Sequence, residues 1–388
     1  MDKTLQAKNY PVNPWLNSAE LYKAGATFEF VMEKYGFKRE EILRLAGNES
    51  TIGTSPKAIE AASEACKSSN FYDEPQSSEL INALEAKFSE EIDMQNLAIT
   101  IGNGMDKVIE QCLNLFTKTG DSIINFSPSF DFYNFAASRS GLKIFDLGRD
   151  ENFHPNLANI ANEIDSYQAK TNSKVKIIFL CTPNNPTGTI VSLEDIEKVA
   201  QVCEEKNIIL FIDHAYIEFT EKHTFDACNI IDKYPNMVIG YTFSKAYGLA
   251  GYRVGYGLMH KELQSTYIKY NTPFLCAKAS LKAAKAALED TDHFQLIIDN
   301  NNIEKPKLSS ALEKLGFKVF PSNANFLLVD TAASRFKNAN ELFEEMLSKG
   351  IILRKAHSVS EKAMRITIGT KAENQRLINA LMETNPIK

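Results

Sequence analysis

The chain has 388 residues, of which 44% are hydrophobic and 24% are charged, with a formal net charge of −6 and an isoelectric point near 5.7. These values exclude a disordered protein, and the length predicts two domains or one large domain with a smaller one. An acidic chain is also a poor general binder of nucleic acid, because neutralising phosphates requires a basic surface.

Neither the cysteines nor the apolar segments indicate a secreted or membrane protein. The six cysteines are scattered, without a CxxC pair, and are expected to be reduced and mostly buried. Residues 1–15 lack the apolar core of a signal peptide, and no uninterrupted apolar stretch is long enough to cross a bilayer. We therefore expect a cytoplasmic protein without a membrane partner.

The first strand and helix pattern lies between residues 97 and 116. Residues 97–101 predict a strand, and the GNG sequence of residues 102–104 predicts a turn. A helix is predicted next, with an inward side formed by Val108, Ile109, Cys112, Leu113 and Phe116. Such a turn can be purely structural, but it can also hold an anion on the free N–H groups of the first helical turn.

A second strand, helix and strand follow. Residues 175–181 (VKIIFLC) predict a strand that ends at the turn formers of CTPNNPTG. Ser192, with Asp195 three positions later, predicts the start of a helix that buries Ile196, Val199, Ala200 and Cys203. Residues 208–212 predict the next strand. This alternation predicts an α/β fold in which a large, mostly parallel sheet lies between helices.

The pattern changes after about residue 275. Helices are predicted over residues 277–315, 340–349 and 372–382, and strands over residues 325–329 and 364–368. We predict a large domain over residues 46–275 and a smaller α+β C-terminal domain over residues 276–388. Residues 1–45 are expected to form an arm or part of the smaller domain.

The most informative motif is SKAYGLAGYRVGYG at residues 244–257, which contains Lys245 and Arg253. A lysine amine reacts with an aldehyde only when part of its population is unprotonated, which requires partial burial or a nearby positive charge. Lys245 has both prospects, because it follows the apolar residues 237–243 and precedes Arg253 by eight positions. A lone Ser-Lys pair would indicate only a surface lysine.

Two further motifs follow predicted strands, NNPTG with Asn185 and DHAY with Asp213 and Tyr216. In these motifs, and in MRITIGT near the C-terminus, the chain resembles the fold-type I enzymes that use pyridoxal 5'-phosphate (PLP). Within them it resembles the class I and II aminotransferase superfamily, of the histidinol-phosphate aminotransferase type, with threonine-phosphate decarboxylases as close relatives. The resemblance covers roughly residues 40–384 and implies a sheet of the seven-stranded type in the large domain.

The resemblance implies three catalytic residues. Lys245 would bind the cofactor aldehyde, and Asp213 would keep the ring nitrogen protonated. Tyr216, together with Asn185, would donate a hydrogen bond to the phenolic oxygen of the ring. Each could instead be structural, since an aspartate often caps a loop and NNPTG is rich in turn formers.

The resemblance also implies the other cofactor contacts. Phe130 in SPSFDFY would stack on the ring, at a position where the family often has tyrosine. The phosphate would be bound by the amides of Met105 and Asp106 together with Ser244 and Arg253, and Gly104 and Thr242 would also belong to the cofactor site. Tyr72 in FYDEPQ would reach the phosphate of a neighbouring subunit, so that a homodimer would share its active sites.

Substrate contacts are implied for three residues. Arg365 in MRITIGT would bind a substrate carboxylate through two parallel hydrogen bonds. Arg354 and Asn48 would lie beside the substrate. The expected ligands are a small phosphorylated substrate and an amino acid donor.

Three function classes are weighed against the sequence. The preferred one is an aminotransferase acting on a small phosphorylated amine or ketone, with L-glutamate as the donor, because MRITIGT has the aminotransferase form. A decarboxylase of a phosphorylated amino acid has the same motifs and differs in how the substrate carboxylate is oriented. A non-catalytic regulator would need a DNA-reading module, for which the residues before the motifs leave no room.

Three positions depart from the residues usual in the family. They are Asp73, Lys107 and His214, where the family commonly has proline, an acidic residue and glutamate. His214 is interpreted as a core histidine, or as one that supports a site residue from behind, in preference to a titrating group beside the cofactor. The departures leave the identity of the phosphorylated substrate open.

Overall fold

A computed structural model describes residues 12–17, 25–75, 77–331 and 333–383. The described residues form α-helices α1 Phe28–Tyr35, α2 Pro56–Cys66, α3 Ser78–Phe88, α4 Met105–Phe116, α5 Phe132–Arg139, α6 Ile160–Thr171, α7 Leu193–Glu205, α8 Lys222–Phe225, α9 Lys261–Tyr270, α10 Lys278–Glu289, α11 Thr291–Lys314, α12 Ala339–Ser348 and α13 Lys371–Met382. The strands are β1 Leu43–Arg44, β2 Leu97–Asn103, β3 Ser122–Asn125, β4 Lys143–Asp146, β5 Val175–Cys181, β6 Ile209–Asp213, β7 Met237–Thr242, β8 Val254–His260, β9 Lys318–Val319, β10 Phe326–Asp330, β11 Ile351–Ile352, β12 Arg354–Lys355 and β13 Ala363–Thr367.

Seven strands form the large sheet, in the order β2-β8-β7-β6-β5-β3-β4. Strand β8 runs antiparallel to both of its neighbours, and the other neighbouring pairs are parallel. Helices cover both faces. The predicted α/β class, with a mostly parallel sheet of seven strands, is confirmed.

The central strands are buried on both faces. On β5, Ile178 and Leu180 join one hydrophobic cluster, whereas Ile177 and Phe179 join another on the opposite face. Because successive side chains of a strand point to opposite faces, a strand buried on both reads as an unbroken apolar run. The sequence VKIIFLC has that form, and β5 has the predicted limits.

Helix α7 also begins where it was predicted. The Ser192 side chain accepts a hydrogen bond from the Asp195 amide at 3.1 Å, which caps the helix. The four residues expected on its inward side are buried.

The prediction for the GNG turn was wrong in extent, since Gly102 and Asn103 still belong to β2, where they pair with Gly255 and Val254 on β8. Strand β8 was not predicted, and its pairing extends β2 to the edge of the turn.

The C-terminal part of the chain forms a second, antiparallel sheet in the order β12-β13-β10-β9. Helices α11, α12 and α13 contribute to the core beneath it, and β1 pairs with β11 beside it. This arrangement confirms a smaller α+β unit. The helix expected over residues 277–315 is two helices, because Asp290 leaves the helical conformation and accepts a hydrogen bond from Ser55 at 2.5 Å. The limits of the domains stay a prediction.

All six cysteines are free, and all except Cys66 are buried, as expected. Among the described residues, the structure has no helix with the length and apolar character needed to cross a membrane.

Candidate active site

The candidate site lies at the end of the large sheet where its parallel strands terminate. The carboxyl ends of β5, β6 and β7 meet there, and Cys181, Asp213 and Gly240 are neighbours in register. Because β8 is antiparallel, its first residue also lies at this end, opposite the end of β2. The strand order therefore brings together the motifs that contain Asn185, Asp213 and Lys245.

Lys245 follows β7 and is half-buried. Its amine donates a hydrogen bond to the carbonyl oxygen of Gly47 at 2.9 Å and lies 5.9 Å from the centre of the Tyr216 ring. Burial, helped by the positive charge of Arg365, lowers the pKa of Lys245 to about 8. A useful fraction of this amine is therefore an uncharged nucleophile near neutral pH.

Asp213 is the last residue of β6 and is almost fully buried. One carboxylate oxygen accepts a hydrogen bond from the Ala215 amide at 2.9 Å, and the other accepts one from the Tyr133 hydroxyl group. Burial raises the pKa of Asp213 to about 6, although both hydrogen bonds act in the opposite direction. Tyr133 was not predicted as a site residue. The only sequence signal was a tyrosine three positions after Phe130, which is too common to be specific.

The turn before α4 is shaped by a close approach of backbones. Gly104 has a positive φ of 76°, and its amide donates to the carbonyl oxygen of Arg253 at 2.9 Å. A Cβ atom at Gly255 would lie 2.3 Å from the amide nitrogen of Met105. This contact fixes the start of α4, and the N–H groups at Met105 and Asp106 belong to its first turn, where free amides are suited to bind an anion.

The groups expected around the phosphate do lie beside this turn. The Arg253 guanidinium forms an ion pair with Asp106 at 2.8 Å. Thr242 pairs with Gly255 in the sheet, and its hydroxyl oxygen accepts a hydrogen bond from the Ser244 amide at 3.1 Å. Both hydroxyl-bearing residues are buried.

A second network joins the residues expected to contact substrate. Arg365 donates to the Asn185 side-chain oxygen at 2.5 Å and to the Ala46 carbonyl oxygen at 2.6 Å. Asn48 donates to the Tyr216 hydroxyl oxygen at 2.9 Å, and burial raises the pKa of Tyr216 well above its usual range. The segment of residues 46–48 therefore connects residues expected to bind the cofactor with residues expected to bind substrate; the sequence indicated only Asn48 of this segment.

Arg354 and Arg365 lie directly opposite each other on β12 and β13. Directly opposed residues of an antiparallel pair project from the same face, and like charges in that position repel each other. Two cationic side chains therefore lie on the same face of this sheet.

Two aromatic residues have different surroundings. Phe130 is half-buried and packs edge-on against Tyr133, with ring centres 5.5 Å apart. Tyr72 is 81% exposed and stacks on Phe274, with ring centres 4.4 Å apart. Tyr72 thus presents an aromatic group to the surface, where a second chain could contact it.

His214 is a core histidine. Its Nε2 atom accepts a hydrogen bond from the Ala227 amide at 3.0 Å, so Nε2 carries no proton. Nδ1 lies 2.6 Å from the Thr182 carbonyl oxygen and is the atom that donates. Both nitrogens of the buried, neutral ring are engaged with the backbone, which agrees with the interpretation from sequence.

The sequence and the fold both match known proteins. The sequence model of the family Aminotransferase class I and II matches residues 40–381. The chain is 34% identical over 372 residues to the histidinol-phosphate aminotransferase of Methanococcoides burtonii, which covers 95% of this chain and 97% of that protein. The crystal structure of histidinol-phosphate aminotransferase from Sinorhizobium meliloti in complex with pyridoxal-5'-phosphate has a TM-score of 0.83, with 24% identity and 96% coverage of both chains. L-threonine-O-3-phosphate decarboxylase from Porphyromonas gingivalis has a TM-score of 0.71, with 25% identity and coverage of 88% of this chain and 98% of that chain.

Proposed function

Because the chain belongs to the class I and II aminotransferases, we propose that it transfers an amino group between L-glutamate and a small phosphorylated ketone or amine. The chain is a PLP-dependent aminotransferase by family. The identity of its two substrates is what we propose.

The residues of the site fit PLP. The first amides of α4, whose position is fixed by the close contact with Gly255, suit the phosphate, and buried Asp213 suits a protonated ring nitrogen. Lys245 has the lowered pKa that attachment to an aldehyde requires. When bound, PLP supplies a reactive aldehyde and a ring that withdraws electron density from the carbon attached to the substrate nitrogen.

The observation that carries the proposal is the position of Arg365 beside Lys245. Arg365 contacts the Ala46 carbonyl oxygen, and Lys245 contacts the carbonyl oxygen of the next residue, Gly47. A carboxylate bound by the Arg365 guanidinium would therefore place the carbon of an amino acid next to the lysine amine. Nζ of Lys245 is then the group that moves a proton to and from that carbon.

The phosphorylated partner is supported by charge and by relatives. Arg354 adds a second cation opposite Arg365, which suits a ligand with more negative charge than one carboxylate. The relative from Methanococcoides burtonii is a histidinol-phosphate aminotransferase, and it matches this chain over nearly its whole length. L-Histidinol phosphate is thus the first substrate to test.

The proposal includes a homodimer that shares its active sites. Tyr72 and Phe71 are 81% and 69% exposed, which is unusual for aromatic side chains of a folded protein. A second copy of the chain would cover them and would receive the Tyr72 hydroxyl at its cofactor phosphate.

One alternative has a specific observation behind it. The decarboxylase from Porphyromonas gingivalis has a similar fold at 25% identity, so decarboxylation of a phosphorylated amino acid is the second candidate. The two reactions differ in which bond of the substrate is broken. A decarboxylase would not need to convert its cofactor to the amine form.

A half-reaction separates the candidates. Purified PLP-loaded enzyme is mixed with L-glutamate alone, and the cofactor absorbance is followed; loss of the aldehyde form and formation of 2-oxoglutarate are expected. L-Histidinol phosphate alone should produce the same spectral change. No change with either compound, together with carbon dioxide release from O-phospho-L-threonine, would replace the aminotransferase proposal with the decarboxylase.

A further inference from the structure

Tyr133, on helix α5, contacts the carboxylate of Asp213. Its hydroxyl group donates to one oxygen of Asp213, while the Ala215 amide donates to the other at 2.9 Å. The two donors come from different elements, the start of α5 and the loop after β6. Together they fix the plane of the carboxylate, which is almost fully buried.

The Tyr133 ring is itself held in place. It stacks on Phe179 with ring centres 4.7 Å apart and an angle of 5° between the planes. Phe130, the residue expected to stack on the cofactor, packs against it at 88°. Since Tyr133 is fully buried, its hydroxyl group cannot leave Asp213 without repacking these rings.

We propose that Tyr133 is the positioning residue for Asp213, and that its hydroxyl group holds the carboxylate in the orientation and the charged form that the cofactor ring nitrogen requires. Tyr133 does not touch the reacting atoms. It acts through Asp213 and, by its packing against Phe130, also sets the position of the stacking ring. The inference rests on the PLP dependence of the proposed function.

The charges around Asp213 give this role a measurable consequence. The titratable groups that face it are Tyr133, Cys181, Tyr216, Asp106 and Lys245. Burial raises the pKa of Asp213 to about 6, and among these groups the Tyr133 hydroxyl is the largest influence that lowers it. Removing the hydroxyl should therefore raise the pKa further and leave Asp213 protonated at neutral pH.

The contribution of Tyr133 to stability should depend on pH. A carboxyl group whose pKa is raised by folding stabilises the fold below its unfolded pKa of about 4, and that contribution is lost as the pH rises through the folded pKa. In Tyr133→Phe the folded pKa is higher, so the loss extends above pH 6. The cost of the substitution should thus be greater at pH 8 than at pH 5.

The first test uses the protein without cofactor. Urea unfolding midpoints are compared at pH 5 and pH 8 for the wild type, Tyr133→Phe, Asp213→Asn and the double variant. We expect Tyr133→Phe to lower the midpoint more at pH 8, and we expect this pH dependence to vanish in the Asp213→Asn background. An equal loss at both pH values, or a loss unchanged by Asp213→Asn, would show that Tyr133 only packs and would overturn the proposal.

The second test measures PLP affinity, with a matched control. Tyr241→Phe removes a similar hydroxyl group, which donates to Asp226 at 2.7 Å on the opposite face of the sheet. Tyr133→Phe should weaken PLP binding about tenfold at pH 8, whereas Tyr241→Phe should leave it within about twofold. Equal effects of the two substitutions would also overturn the proposal. Failure of the wild type to bind PLP would instead refute the proposed function, and the measurements without cofactor would still stand.

Discussion

Gly255 on β8 lies against Met105, the first residue of α4, so closely that a Cβ atom at residue 255 would stand 2.3 Å from the Met105 amide nitrogen. The same Cβ atom would be 2.8 Å from the Gly104 carbonyl carbon. Contacts this short with backbone cannot be relieved by a side-chain rotation. Strand β8 and the start of α4 therefore fit together only with glycine at this position, and their fit determines where the first amides of α4 lie.

Gly255→Ala should displace the start of α4 and weaken PLP binding by about tenfold or more, because the amides that suit the phosphate would move. Overpacking should also lower the free energy of unfolding by about 1–3 kcal/mol. Gly251→Ala is the matched control, since no heavy atom lies within 4 Å of a Cβ atom there. Titration of each variant with PLP checks the prediction, which fails if the two variants bind equally well.

Attachment of PLP should depend on pH through Lys245. Burial and Arg365 lower the pKa of this lysine to about 8, so the reactive amine fraction should rise with pH and reach one half near pH 8. Arg365→Gln removes a positive charge and should shift the profile to higher pH, whereas Arg365→Lys keeps the charge and should shift it less. The rate of absorbance change after mixing PLP with the protein, measured from pH 6 to pH 10, reports the profile. Identical profiles for Arg365→Gln and Arg365→Lys would contradict the electrostatic account.

Several elements were predictable because their signals are local. Helix α7 has thirteen residues that include its whole buried face, and its capping residue, Ser192, directly precedes them. Strand β5 is an unbroken apolar run followed by turn formers. Asp213 and Lys245 could be found because Asp213 ends an apolar strand and Lys245 lies three positions after the end of another, although their roles came from the resemblance.

Other features depend on contacts between distant parts of the chain. Strand β8 contains Gly255 and Gly257, which weaken a strand pattern and are required only because α4 packs closely there. Tyr133 and Asp213 are eighty positions apart, and no periodicity connects them. The contacts of residues 46–48 with Lys245 and Arg365 also form only when the two sheets come together.

The shared active site can be tested by mixing two impaired variants. Lys245→Ala lacks the attachment lysine, and Tyr72→Ala lacks the hydroxyl group expected to reach the neighbouring phosphate. In a mixed dimer, one site would combine the intact Lys245 of one chain with the intact Tyr72 of the other, so activity should reappear. The mixture should exceed the sum of the two separate activities after subunit exchange. No gain, with exchange verified by mass labelling, would place Tyr72 outside its partner's site.

The central claim is that Lys245 is the lysine that binds the PLP aldehyde. Lys305 is a stringent internal control, because burial lowers its pKa to about 8 as well, and its amine donates to the Ala324 carbonyl oxygen at 3.1 Å. If a lowered pKa were sufficient for attachment, PLP would label both lysines, whereas a specific cofactor site would allow the label on one lysine only. The direct measurement is borohydride reduction of the PLP-loaded protein followed by peptide mapping. We expect the label on the peptide that contains Lys245 and its loss in Lys245→Ala but not in Lys305→Ala. A label on Lys305, or wild-type labelling of Lys245→Ala, would contradict the assignment.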